Sequence, residues 1–142
     1  MASPPLGCRD PLRPLRSRTR ADRPEGMTRA QEWLDGYLRA WRSYDEAEVR
    51  ALFTEDAEYW FRPNDAEPTR GIEAIVAMWD SDRGDDPQFD FEVLIEDDRL
   101  AIMKGHVDYG DKHYTNMWEV WFAPDGRAQK FVEWWMLPRK RG

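Results

Sequence analysis

Cysteine is almost missing from this sequence. Cys8 is the only one, so no disulfide framework can form within the chain, and the part that patterns as a folded domain offers no thiol nucleophile. Long apolar runs are missing too: no stretch approaches the ~20 consecutive apolar residues that span a bilayer. The N-terminal segment also lacks the apolar core of a secretory signal. Histidine is limited to His106 and His113. They fall on neighbouring segments beside a turn, near Asp108 and Asp111, where surface residues are commoner than metal ligands. There is no Gly-rich phosphate loop, no HExxH, no CxxC pair and no GxSxG. Neither a metal nor a cofactor is expected. Basic charge is short as well, with a formal net charge of -7, the opposite of what a phosphate backbone attracts. These absences predict a soluble, cytoplasmic protein with neither nucleic acid nor membrane as a partner.

The charge is unevenly spread. Residues 1–26, "MASPPLGCRDPLRPLRSRTRADRPEG", hold six Arg against Asp10, Asp22 and Glu25, a balance of +3 that leaves -10 on the rest. Five prolines and few large apolar residues give this segment little to bury, so it reads as a disordered tail. Residues 27–142 read as one domain, with Met27 as an alternative start, and are long enough for a core.

Thr28 and Gln31 have capping-box spacing ahead of Ala30, Trp33, Leu34, Tyr37, Leu38 and Trp41, which recur with helical period. Asp45 opens a shorter helix that should bury Val49, Leu52 and Phe53. "AEYWFR" (57–62) reads as a strand stopped by Pro63, and "PNDAEPTRG" as a loop. A third helix carries Ile72, Ile75, Val76 and Trp79 on one stripe. After the polar "DSDRGDDP", turn signals at Asp97-Asp98, Gly110-Asp111 and Pro124-Asp125-Gly126 divide the remainder into four antiparallel strands. These lie near 88–96, 99–109, 113–123 and 127–137. Helices gathered against an antiparallel sheet make the fold α+β.

The phrases "YLRAWRSYDEAEVRALFTEDAEYWFRP", "RGIEAIVAMW" and "NMWEVWFAPDGRAQKFVEWWM" resemble the NTF2-like superfamily, particularly its SnoaL-like branch, over about residues 28–137. The resemblance implies a cone: a curved antiparallel sheet wrapped on three N-terminal helices, with a ligand pocket at its open end. It does not choose between enzymes and non-catalytic binders, because one fold hosts many functions. Ketosteroid isomerases of this superfamily, which serve as a general example of carboxyl pKa tuning, can be compared position by position. Tyr37, eight residues before Asp45, matches their helix tyrosine. Arg62, before Pro63, stands where their base would be, and Trp118 stands at their acidic donor. A guanidinium is no base at neutral pH and indole has no acidic O–H, so ketosteroid isomerase activity is not expected. The resemblance to SnoaL-type cyclases implies a titratable pocket residue at Glu133.

Glu133 sits between Phe131-Val132 and Trp134-Trp135, in a stretch fit for a buried strand. The turn "APDGR" pairs Ala123 with Arg127, and regular extension groups Asn116, Trp118 and Val120 with Val132, Trp134 and Met136. A two-residue turn at "YGDK" adds Ala101, Met103, Gly105 and Val107 to that apolar face. Glu133 then falls on the other face, whereas the resemblance places it in the pocket; one β-bulge in the last two strands would reconcile the two. In the pocket reading Tyr37, Tyr59, Arg62, Asn116, Trp118, Glu133 and Trp135 surround an apolar or cyclic ligand, with Glu133 and Tyr37 as candidate catalytic groups and Arg62 as a possible partner of Glu133. The functional expectation is a small-molecule pocket protein with proton-transfer chemistry of lyase, isomerase or cyclase type; the alternative is a non-catalytic binding or dimeric interaction module. Trp134 and Trp135 point opposite ways, so apolar bulk remains on the outer sheet face, where a homodimer is expected.

Overall fold

A computed structural model describes residues 28–84 and 86–139. The expected tail and Met27 lie outside the described residues. Thr28 caps α1 (Arg29–Ser43), its side chain accepting from the Gln31 backbone N–H at 3.1 Å. Only half of the capping box forms, because the Gln31 amide donates to Asp35 at 2.9 Å instead of reaching back. The inner stripe of α1 buries Ala30, Trp33, Leu34, Tyr37 and Ala40. Tyr44 ends the helix at a φ of 53°, a left-handed cap.

Asp45 caps α2 (Glu46–Arg50) through the Ala47 N–H at 2.8 Å. This helix stops earlier than the sequence suggests. Phe53 is the first residue of β1 (Phe53–Trp60), which begins before the expected 57. There its ring meets Trp33 edge-on at 6.0 Å, and the Trp33 indole donates to the Leu52 carbonyl at 2.9 Å. Tertiary packing of the aromatics thus overrides the helical spacing. The expected loop contains a two-residue strand, β2 (Thr69–Arg70), paired antiparallel with β1. Next come α3 (Ile72–Ser81), β3 (Gln88–Glu96), β4 (Leu100–Asp108), β5 (His113–Phe122) and β6 (Ala128–Met136).

The six strands form one curved, unclosed sheet in the order β2-β1-β6-β5-β4-β3. The last four strands are the expected antiparallel meander, but β1 lies parallel to β6, so the sheet is mixed. This places β6 beside β1 in the middle of the sheet. None of the helices among the described residues is long and apolar enough to cross a membrane.

Ala101, Met103, Gly105 and Val107 all face inward and are buried, as the "YGDK" turn requires. The hairpin between β5 and β6 departs from regularity. Its turn forms as expected, with the Ala123 N–H donating to the Arg127 carbonyl at 2.8 Å. Phe122 then pairs with Ala128, but Trp121 pairs with Lys130, leaving Gln129 as an extra residue. This bulge reverses every later side chain of β6. Trp118 now pairs with Glu133 and Asn116 with Trp135, so Val132, Trp134 and Met136 do not share the inner face as regular extension would have it.

Candidate functional site

The inner sheet face, α1 and the end of α3 enclose a cavity of about 310 Å³ that opens to solvent. Helical spacing on α1 brings Tyr37 and Trp41 into its wall, joined by the cap residue Tyr44. From β1 come Tyr59 and, just beyond it, Phe61. The end of α3 adds Met78, Trp79 and Asp82. Val107, Tyr109, Tyr114 and Asn116 come from the hairpin of β4 and β5, and β6 supplies Glu133 and Trp135.

Of the expected residues, Tyr37, Tyr59, Asn116, Glu133 and Trp135 line this cavity. Trp118 does not; it is buried behind the wall, where its ring stacks on Phe91 at 3.8 Å between centroids. Arg62 is exposed, outside the lining, and does not pair with Glu133: its guanidinium lies 4.4 Å over the Trp135 ring. The turn after β1, stopped by Pro63, carries Arg62 past the mouth. Trp41, Tyr44, Trp79 and Tyr114 were not anticipated as lining. Their signals were present, since Trp41 and Tyr44 follow Tyr37 at helical spacing and Tyr114 alternates with Asn116 and Trp118.

Glu133 holds the centre of the arrangement. Its Oε2 accepts the Asn116 amide at 2.7 Å and the Trp118 indole N–H at 3.2 Å. Among the described residues no hydrogen bond reaches Oε1 and no cation pairs with this carboxylate. Burial raises its pKa, while the hydrogen bonds from Trp118 and Asn116 pull in the opposite sense. The residue stays half-buried because it borders an open cavity; the raised pKa reflects protein crowding around the carboxyl group.

Tyr37 and Tyr59 are buried and share a hydrogen bond, with their oxygens 2.9 Å apart. Burial, more than any neighbour, drives both phenols well above their usual range, and the charge of Glu133 adds to the effect. Both therefore keep their protons at neutral pH. One donates to the other, which leaves one O–H for another acceptor. Asn116 Oδ1 and Trp79 Nε1 are buried without a partner among the described residues. Unpaired buried polar atoms are uncommon, and both belong to residues of this one cavity wall.

The model of the SnoaL-like domain family matches residues 34–136, so the chain belongs to the SnoaL-like family. Solved structures share its NTF2-like fold. An NTF-2 like protein of unknown function from Burkholderia xenovorans is 16% identical, with 80% of this chain and 88% of that one covered at a TM-score of 0.67. A SnoaL-like protein of unknown function from Burkholderia thailandensis is 19% identical, covering 76% and 94% at 0.63. A steroid delta-isomerase from Pseudomonas aeruginosa is 17% identical, covering 78% and 81% at 0.62. At such identities the likeness concerns the fold. No curated protein matches the sequence.

Proposed function

We propose that the protein binds a cyclic, largely apolar small molecule in this cavity and moves a proton on it through Glu133. The observation carrying this reading is a carboxyl group set among aromatic rings, held by two neutral donors and countered by no cation among the described residues. Burial brings such a group toward the range in which it both takes and returns a proton near neutrality. In an isomerase-, lyase- or cyclase-like step, Glu133 takes a proton from the carbon beside a carbonyl. The free O–H of the Tyr37–Tyr59 pair donates to the enolate oxygen as charge develops there. The protonated Glu133 then returns the proton. With Arg62 outside the lining and Trp118 behind it, the isomerase set of acids is not reproduced, and Glu133 alone carries the transfer.

A non-catalytic binding module is the second reading, favoured by the two hydrogen bonds that hold Oε2 fixed as an acceptor. Deuteration of 1-tetralone in D2O, followed by NMR, separates the two. Wild type should accelerate exchange next to the carbonyl, and Glu133→Gln should lose roughly 100-fold or more of that acceleration. Binding without acceleration would favour the module. No binding of the ketone or of other cyclic ligands would remove the cavity from consideration.

The reading includes a second copy of the chain. On the outer sheet face Met117, Trp134 and Met136 are 36%, 42% and 55% exposed. The indoles of Trp121 and Trp134 both donate to Glu119, at 3.1 and 2.8 Å. Each oxygen of the central carboxylate thereby has a donor within the face, so a partner covering it would meet no unpaired acceptor oxygen there. A cytoplasmic setting is the expectation that accompanies the lone cysteine.

A further inference from the structure

The charge and ring content of the cavity wall are one-sided. Among the described residues, nine of the fourteen that line it are aromatic, and the ionisable groups are carboxyls and phenols, with no Lys, Arg or His among them. The carboxylates are Glu133, deep in the wall, and Asp82, at the exposed end of α3. An anionic ligand would meet like charge and no compensating donor cation. A neutral one would leave the Glu133 charge uncompensated in an environment that already disfavours it. A protonated nitrogen would meet electron-rich ring faces and a carboxylate oxygen, Oε1, that no described group occupies.

Resting on the binding reading above, we propose that the ligand carries a basic nitrogen, bound as an organic ammonium between the aromatic wall and Glu133. Two guanidinium groups oppose this from outside. Arg62 lies over Trp135 at 4.4 Å and Arg83 over Tyr44 at 5.5 Å. Both are exposed and outside the lining, so water and salt screen them; the groups inside the wall decide the local sign. The cation also defines the state of Glu133. An ammonium alongside favours the ionised carboxylate and lowers its pKa from the raised position of the empty cavity. Ligand binding would therefore leave Glu133 as a base, ready to take a proton from carbon.

Three probes of one skeleton test the inference by isothermal titration calorimetry at pH 7: 1-naphthylmethylamine, protonated at this pH, the neutral 1-naphthalenemethanol, and 1-naphthoate. The amine should bind about tenfold or more tightly than the alcohol, and the carboxylate should bind weakest. In Glu133→Gln the advantage of the amine over the alcohol should shrink. Equal or tighter binding of the alcohol or the carboxylate to wild type would overturn the charge preference while leaving the cavity as a small-molecule site. Failure of all three at millimolar concentration would overturn both. The wild-type comparison stands even if the variant folds poorly.

Discussion

Trp118 and Glu133 are direct cross-strand neighbours, and the indole N–H of the first donates to the carboxylate of the second at 3.2 Å. Trp118 is itself held by Phe91 on one side, at 3.8 Å, and by Tyr37 at 4.6 Å. The aromatic core therefore fixes the orientation of the one carboxyl group in the deep wall. Replacing Trp118 with Phe removes the donor and some buried volume, at a cost of about 1–3 kcal/mol in stability. Because that hydrogen bond favours the ionised form, its loss should raise the Glu133 pKa further. A carbon-detected NMR titration of the Glu133 carboxyl should show a higher midpoint in Trp118→Phe. An unchanged or lower midpoint would mean that the indole acts by bulk alone.

The bulge at Gln129 is what turns Glu133 inward. Deleting that residue closes the ladder without changing the later pairs: Trp121 still meets Lys130 and Trp118 still meets Glu133, so Glu133 keeps its inward face. What is lost is the local bend, at the point where the pairing of β6 with β1 also shifts register between Phe53 and Glu58. The deletion should leave folding cooperative and cost about 1–3 kcal/mol, lowering Tm by roughly 5–10 °C. Gln129→Ala, at an exposed position, should change stability by roughly 0.5 kcal/mol or less. Thermal melts of both variants check the pair; a stable deletion variant would mean that the extra residue is dispensable.

Much of this architecture was legible in the sequence, and the bulge explains where legibility ended. Helical spacing around Trp33 and Tyr37, and alternation through Ala101, Met103, Gly105 and Val107, are local patterns that one buried face imposes. They identified three helices, the meander and most of the inner face. The parallel contact of β1 with β6 joins segments distant in sequence and leaves no local mark. Nor does "RAQKF" announce an extra residue at Gln129, since bulges depend on sheet curvature more than on composition. The resemblance, rather than the residues alone, pointed Glu133 inward. Arg62 lies outside the lining because an Arg beside a proline turn is as fit for solvent as for a pocket.

Gly105 marks a close approach of backbones. A Cβ there would collide with the Asp90 carbonyl and the Phe91 ring, both on the adjoining β3. Phe91 crosses this gap to reach Trp118. Gly105→Ala should displace the ring and destabilise the domain by about 1–3 kcal/mol. Chemical denaturation should show a lower midpoint with little change in slope. Wild-type stability would show that β3 moves aside at little cost.

The outer face predicts a dimer. Trp134→Lys places a charge beside Met117 and removes the indole that donates to Glu119. Sedimentation of wild type at micromolar concentration should give a dimer, and the variant a monomer with a similar melting curve. A monomeric wild type would sink the idea, whatever the variant does.

Glu133→Gln completes the set by separating function from stability. Burial raises the Glu133 pKa above the ordinary carboxylate range, so the folded protein holds this proton more tightly than the unfolded chain. The sign follows from linkage. Stability associated with the protonated group is fully present below about pH 4.5. It is lost as pH rises through the folded pKa, because ionising the carboxyl in the fold costs more than ionising it in water. Glutamine keeps an acceptor for Trp118 and Asn116 and never ionises. Wild type and Glu133→Gln should therefore melt alike at pH 4. Above that the variant should gain, ending ahead of wild type near neutrality. The gap should level off once Glu133 is fully ionised. Melting curves at half-unit pH steps measure it. A variant that instead melts lower at pH 7 than wild type would mean that the ionised carboxylate stabilises the fold, and that its surroundings are wetter than the cavity wall suggests.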